Sequence, residues 1–196
     1  EPFWNTERGL YADDRGHTSF SEHTQCLALL SGLLPEHRAA QVAEGLLNDG
    51  SLVRTTIYFT HYPFEVYRQL GRIDALFDRM DLWFGLVDMG FKTPVEKPEP
   101  SRSDCHAWGS HPLYHYFASI LGIRPVALGF AEVEIAPQLG PLAHAEGRLA
   151  HPQGEIVAAV RQEDGTLHGE ITLPEGVPGT LVIDGVRRAF TGTITF

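Results

Sequence analysis

The chain has 196 residues, enough for one domain or two small ones, and its 43% hydrophobic and 20% charged content is that of an ordinary globular protein. Its 25 acidic and 15 basic side chains leave a net charge of −10, which argues against a nucleic-acid backbone or an anionic membrane as partner, because both select a positive surface. It has no apolar run of the roughly 18 residues that a membrane span needs.

The start, Glu1-Pro2-Phe3-Trp4, carries neither a basic segment nor an apolar signal core and is expected to be internal to a longer protein. The compartment stays open, with the cytoplasm slightly favoured. Cys26 and Cys105 are too far apart and too few for a disulfide framework. Both are expected as free thiols, with Cys26 buried as a small hydrophobe.

Residues 1 to about 124 read as helical. Ser19 is expected as N-cap of the first helix, with Glu22 three residues on completing a capping box. The run Cys26, Leu27, Leu29, Leu30, Leu33 has helical spacing and ends before Pro35. Pro35 suits the first turn of a second helix through Leu47, which Asn48-Asp49-Gly50 stops. A third helix is expected over about 56–70 with Pro63 near its start, and a fourth over 73–89 up to Gly90. A fifth runs over 112–121 and stops at Gly122. Short connections imply antiparallel neighbours.

The segment Phe91–Ser110 breaks the pattern with Pro94, Pro98 and Pro100 and a dense set of polar and aromatic groups. A loop of that length inside a compact domain is usually functional or disordered, and its aromatic and His content speaks against disorder.

From about Pro125 the period becomes two. Strands are expected at 130–135, 156–161, 167–173, 180–183 and 189–194, with Asp164-Gly165 as a hairpin turn. The fold class is α+β, in two domains of about 1–124 and 125–196, the second a small antiparallel β-sandwich.

The loop carries the chemistry. Glu96-Lys97-Pro98-Glu99-Pro100-Ser101-Arg102-Ser103-Asp104-Cys105-His106-Ala107-Trp108 leads into Gly109-Ser110-His111-Pro112. Carboxylates can transfer protons, aromatic faces pack on sugar C–H surfaces, and His, Arg and Asp hold hydroxyls, so these residue types suit a carbohydrate site.

This stretch, with Leu121-Gly122-Ile123-Arg124-Pro125 and Val133-Glu134-Ile135-Ala136-Pro137 downstream and Phe3-Trp4-Asn5 and Phe20-Ser21-Glu22-His23 upstream, resembles bacterial α-L-rhamnosidases of glycoside hydrolase family 78. The resemblance spans nearly the whole chain. It implies that the helical part is the C-terminal portion of an (α/α)6 toroid of antiparallel helical hairpins.

The resemblance also implies an inverting hydrolase acting on rhamnose-containing glycans or glycosides, with Glu96 in the place of the general base. The family element is Thr-Thr-x-x-Glu-like; here it is Lys92-Thr93-Pro94-Val95-Glu96, with Lys92 in place of the first Thr. Glu99 is the competitor if the register is shifted. The family's acid-rich motif, which supplies the general acid, has no counterpart in this sequence, so the chain is expected to be inactive alone. Asp104, His106, Trp108, His111 and Arg102 are the expected substrate contacts, and no cofactor is expected.

Plainer roles stand beside these. Glu96 on a loop can be an ordinary solvated carboxylate. His106, Trp108 and His111 can be a loop packed on itself. Arg102 and Asp104 can pair with each other to order the loop. His23, His61, Tyr58 and Trp83 can face the toroid's lumen, with core packing favoured for Tyr58 and Trp83.

Two further functions are carried as alternatives: a non-catalytic sugar-binding or structural module, and a metal-dependent hydrolase using His106, His111 and His115. A partial toroid would also expose apolar helix faces, from which an oligomer or other association is expected.

Overall fold

A computed structural model describes residues 2–196, which form two compact units, Glu1–His111 and Pro112–Phe196. Together they are α+β: helices dominate the first and strands the second.

The first unit opens with a small antiparallel hairpin, β1 (Trp4–Asn5) on β2 (Leu10–Tyr11), followed by helices α1 (Glu22–Leu30), α2 (Glu36–Asn48), α3 (His61–Gln69) and α4 (Ile73–Asp88). α1 packs on both α2 and α3, and α3 packs on α4. The helix ends follow from breakers placed where the sequence has them. Pro35 sits at the cap just before α2, and Pro63 lies in the first turn of α3, where a missing N–H costs nothing. Gly90 takes φ +86 and lets the Phe91 amide reach Leu86 O at 3.0 Å, closing α4 where the pattern stops. The third helix starts at His61 rather than near 56, because Thr56–Thr60 spends a turn of its own before the helix.

The start of α1 corrects the expected capping box. Ser21, not Ser19, is the N-cap, and its hydroxyl oxygen accepts from the Thr24 amide at 3.4 Å. The helix cannot begin earlier because Phe20 and Ser21 are extended and paired with Val53: Val53 N donates to Phe20 O and Glu22 N donates to Val53 O. Ser19 instead donates its hydroxyl to Asp13 at 2.8 Å.

Glu22 turns inward rather than back to a cap. Its carboxylate accepts from the Thr55 amide at 2.6 Å and from Arg79 of α4 at 2.8 Å. Arg79 also donates to the Thr55 hydroxyl and carbonyl. The two charges are 7% and 11% exposed, so this pair ties α1, the 50–56 connection and α4 together away from water. Removing one partner of such a pair strands the other.

α5 (His111–His115), at whose first residue the first unit ends, runs into a π-type turn over Tyr116–Ile120, so the fifth helix expected over 112–121 is present in two pieces. Gly122 ends it at φ +72, and a Cβ there would lie 2.1 Å from Ala136 O. Only glycine allows the Ala136 amide to reach Gly122 O at 3.1 Å.

Two four-stranded sheets follow. One has β3 (Ile123–Pro125), β4 (Val133–Ile135), β8 (Pro178–Ile183) and β9 (Val186–Thr191) in that order. The other orders β10 (Thr193–Thr195), β7 (Thr166–Thr172), β6 (Gly154–Glu163) and β5 (His144–His151). The alternation seen in the sequence is the burial pattern: Ile156, Ala158 and Val160 on β6, Ile171 on β7, and Val133 and Ile135 on β4 are all buried. Asp164 and Gly165 both take positive φ, the geometry of a two-residue hairpin turn.

The expectation of a purely antiparallel arrangement is corrected at one place. β4 and β8 pair in parallel, with Glu134 opposite Thr180. The chain visits the other sheet between them, which provides the long crossover that a parallel pair requires.

An Arg79→Met variant is expected to lose about 3–5 kcal/mol of stability, read as a lower urea midpoint. A loss below about 1 kcal/mol would show that the pair does not hold the helices.

Candidate active site

The loop after α4 is built as an irregular hairpin. Its two arms are cross-linked by main-chain bonds, Glu96 N to Ser103 O at 2.9 Å and His106 N to Pro94 O at 2.8 Å. Thr93 adds a hydroxyl bond to Asp104 O. Val95 is fully buried in a cluster with Ile57 and Leu86, against which Leu82, Trp83 and Phe91 pack. In an extended arm successive side chains point to opposite sides, so anchoring Val95 inward turns Glu96 the other way.

The loop ends in a 3-10 turn, Ala107–Ser110, whose Gly109 is squeezed in: a Cβ there would be 2.7 Å from Pro94 Cβ and 3.2 Å from Val95 O. The Trp83 indole donates to Gly109 O at 2.7 Å and ties the turn to α4.

Glu96 is paired with Arg102. The guanidinium donates Nε–H to Oε2 at 3.0 Å and an Nη2–H to Oε1. The carboxylate side chain is only 13% exposed, while Arg102 stands largely in solvent. The Arg102 hydrogen bond holds the Glu96 carboxyl below its ordinary value against a smaller opposing effect of burial, with the charges of Arg102, His106 and Lys97 acting in the same direction as the bond. Arg102 therefore pairs with Glu96, not with Asp104. Glu99 is exposed, and its carboxylate accepts from the Ser101 amide at 2.9 Å, capping its own turn.

His106, whose amide is bonded to Pro94 O on the arm that carries Glu96, packs on Trp108 with ring centroids 4.3 Å apart. Its Nδ1 is buried and has no hydrogen-bond partner among the described residues. Trp108 is 46% exposed and packs at 5.1 Å on Tyr58. Glu96 with Arg102 and His106 with Trp108 thus form two pairs carried by one loop.

His111 makes its contacts elsewhere. Its ring packs against His61, Phe64 and Trp83, and Nε2 lies 2.9 Å from Ile57 O, the distance of an N–H donating to that carbonyl. Asp104 is exposed, and it is its main-chain oxygen that the loop uses. His115 is buried, with Nδ1 2.9 Å from Ser119 Oγ. Cys26 is buried and Cys105 exposed, both as free thiols.

Tyr58 does not have the core role favoured for it. It is 45% exposed and joins Trp108 to Tyr62, whose ring packs on Phe59. Phe59 and Tyr62 carry no motif in the sequence. The available signal was an aromatic density, Tyr58-Phe59 and Tyr62, ahead of a helix whose core positions are Phe64, Val66 and Tyr67. Trp83 does pack in the core cluster.

The loop supplies a low-pKa carboxylate, an imidazole and an exposed indole. That is equipment for holding a hydroxylated ring and deprotonating water, as in glycoside hydrolases. Residues 122–192 match the family model of the bacterial alpha-L-rhamnosidase C-terminal domain. An alpha-L-rhamnosidase of Alteromonas sp. (strain LOR) is 24% identical over 177 residues, covering 80% of this chain and 19% of that protein.

Among solved structures, a GH78 family rhamnosidase of Bacillus sp. GL1 matches 91% of this chain and 22% of its own, with a TM-score of 0.77 and 27% identity. The alpha-L-rhamnosidase from Dictyoglumus thermophilum has TM-score 0.76 at 21% identity over 92% of this chain and 22% of its own. The Streptomyces avermitilis alpha-L-rhamnosidase complexed with L-rhamnose has TM-score 0.74 at 19% identity over 91% and 22%. These last two show the fold. The chain is thus similar to α-L-rhamnosidases, and it spans about a fifth of the length of the relatives it matches.

Burial lowers the His111 pKa from 6.5 to about 4, with the His61 charge adding to the shift and the Ile57 carbonyl opposing it. The unfolded chain takes up a proton near 6.5 while the folded ring stays neutral down to about 4. The unfolded state binds more protons in between, so this group makes stability fall as pH drops across that window and adds no further slope below it. Urea midpoints measured against pH should fall less steeply there for His111→Gln than for the parent; equal slopes would contradict this.

Proposed function

We propose that this chain is the C-terminal portion of an inverting α-L-rhamnosidase-type glycoside hydrolase, with Glu96 as the general base. The observation that carries it is the placement of Glu96. It is a shielded carboxylate held by Arg102, on the loop that also carries His106 and the exposed Trp108, rather than a side chain loose in solvent.

In this reading residues 1–124 are the last hairpins of an (α/α)6 toroid and 125–196 a C-terminal β-sandwich. A terminal α-linked rhamnose sits against Trp108 and His106. Glu96 takes a proton from water on the face opposite the leaving group, and Arg102 must first yield one of the carboxylate oxygens it occupies. Holding the pKa low keeps Glu96 ionised, the form a base requires, at the expense of its proton affinity.

An inverting hydrolase also needs a carboxylic acid roughly 6.5–9.5 Å from the base to protonate the leaving oxygen. This sequence has no counterpart of the family's acid motif, and the matched fifth of the relatives leaves most of such an enzyme to other residues. Lacking an acid catalyst typically costs about 100- to 10,000-fold in rate. The purified chain is therefore expected to release no nitrophenol from p-nitrophenyl α-L-rhamnoside above background. Turnover that Glu96→Gln abolishes would show the chain to be a complete catalyst.

The double occupation of Glu96 by Arg102 also favours a second reading, a non-catalytic sugar-binding module with the same loop. It differs in predicting rhamnose binding that survives Glu96→Gln.

The toroid reading also bears on association. Phe84, Val87 and Met89 are exposed along the last turns of α4 and the residue after it, the kind of apolar surface that drives self-association. Light scattering is expected to give a mass above the 21.7 kDa of one chain; a sharp monomer peak at high concentration would remove this expectation.

A further inference from the structure

Six rings form a run across the first unit. His106 packs on Trp108 at 4.3 Å, Trp108 on Tyr58 at 5.1 Å, Tyr58 on Tyr62 at 6.4 Å, Tyr62 on Phe59 at 4.6 Å and Phe59 on His23 at 4.3 Å. The members come from three separate stretches: α1, residues 58–62 running into the first turn of α3, and the loop after α4. None of the six is fully buried, whereas Phe64 and Tyr67, from the same helix as Tyr62, are. The fold thus sorts its aromatics. One set fills the interior, and the other is lined up with surface left over. Exposed aromatics scattered singly need no explanation, but a contiguous run beside a candidate reaction centre does.

We infer that this run is an extended binding platform for a neutral oligosaccharide, holding the sugars that lie beyond the residue placed at Glu96. The inference rests on the glycosidase reading above and extends it to the leaving-group side.

Three features select the occupant. The run is several rings long, so one monosaccharide would cover only part of it. Successive planes are tilted, 42° between His106 and Trp108, 39° between Trp108 and Tyr58, 89° between Tyr58 and Tyr62 and 41° between Tyr62 and Phe59. A rigid flat aglycone can lie on one such face only, while sugars joined by rotatable glycosidic bonds can meet them in turn. The rims are polar: Tyr58 and Tyr62 bring hydroxyls on adjacent rings, and His23, His106 and the Trp108 indole offer ring nitrogens. Apolar faces with hydrogen-bonding edges suit a sugar, which has both. No member of the run is acidic, and the neighbouring Glu96 is already neutralised by Arg102, so the platform makes no demand for a charged ligand.

The test is a set of titrations of the purified chain, followed by tryptophan fluorescence with Trp108→Phe as the signal control. The probes are a rhamnosyl-terminated tetrasaccharide of neutral hexoses, free L-rhamnose, and p-nitrophenol. The tetrasaccharide is expected to bind at least about tenfold more tightly than rhamnose, the gain of one or two stacked rings. Tyr58→Ala and Tyr62→Ala are each expected to weaken it about three- to tenfold while leaving rhamnose unchanged, and Tyr58→Phe, which keeps the ring, should retain most of the affinity. Circular dichroism confirms that each variant is folded.

Equal affinity for tetrasaccharide and rhamnose overturns the platform, as does indifference to both alanine variants. Binding of p-nitrophenol as tight as that of the tetrasaccharide overturns the choice of occupant. If the tetrasaccharide binds through Tyr58 and Tyr62 but rhamnose leaves the Glu96 carboxyl resonance in an NMR titration unmoved, the platform stands and the assignment of Glu96 fails.

Discussion

Val95 is fully buried against Ile57 and Leu86, and that burial decides where its neighbours can go. With Val95 turned inward and the Pro94 and Glu96 main chains bonded to the returning arm, Glu96 has one side of the loop left to it. Gly109 closes against the same arm, which sets the start of the turn that presents Trp108. An apolar contact thus places the polar groups. A loop with three prolines and little regular structure is made stiff by one side chain in the core and a few cross-bonds, the condition under which irregular backbone can hold groups in register.

Comparing two carboxylate–guanidinium pairs of the first unit shows how setting changes meaning. Glu22 and Arg79 are both shielded, and every oxygen has a donor. Such a pair contributes through the cost of breaking it. Glu96 and Arg102 have similar chemistry, but Arg102 stands in water and lies on a surface segment. It can leave at little cost, since exposed pairs are worth little. The first is a fastener, whereas the second is a pair that solvent can part on one side.

Much of this was legible in the residues. Glycines and prolines bound the helices because their backbone limits act locally, so Gly90, Gly122 and Pro63 could be placed without tertiary knowledge. The hairpin at Asp164-Gly165 follows for the same reason, and Asp184-Gly185, with the same positive φ values, carried the same signal unread. β5 was invisible because His144–His151 has no apolar alternation; it is an edge strand, held by pairing with β6 along its whole length. The cap of α1 was misplaced since the competing partner, Val53, lies more than thirty residues away. At the site, the loop motif led to Glu96, Arg102, His106 and Trp108, which carry the resemblance. It could not lead to Tyr58, Phe59 and Tyr62, whose neighbourhood is made by folding alone.

Cys105 sits next to His106 with its thiol exposed, while burial of Cys26 pushes its thiol pKa far up and leaves it unreactive. The chain therefore carries one chemically addressable sulfur, and it stands at the rim of the candidate site. A maleimide dye or a spin label would attach there alone, giving an observer at that spot without any change to the sequence. The same accessibility makes this position the first to suffer in an oxidising medium, where a bulky adduct would crowd the imidazole beside it.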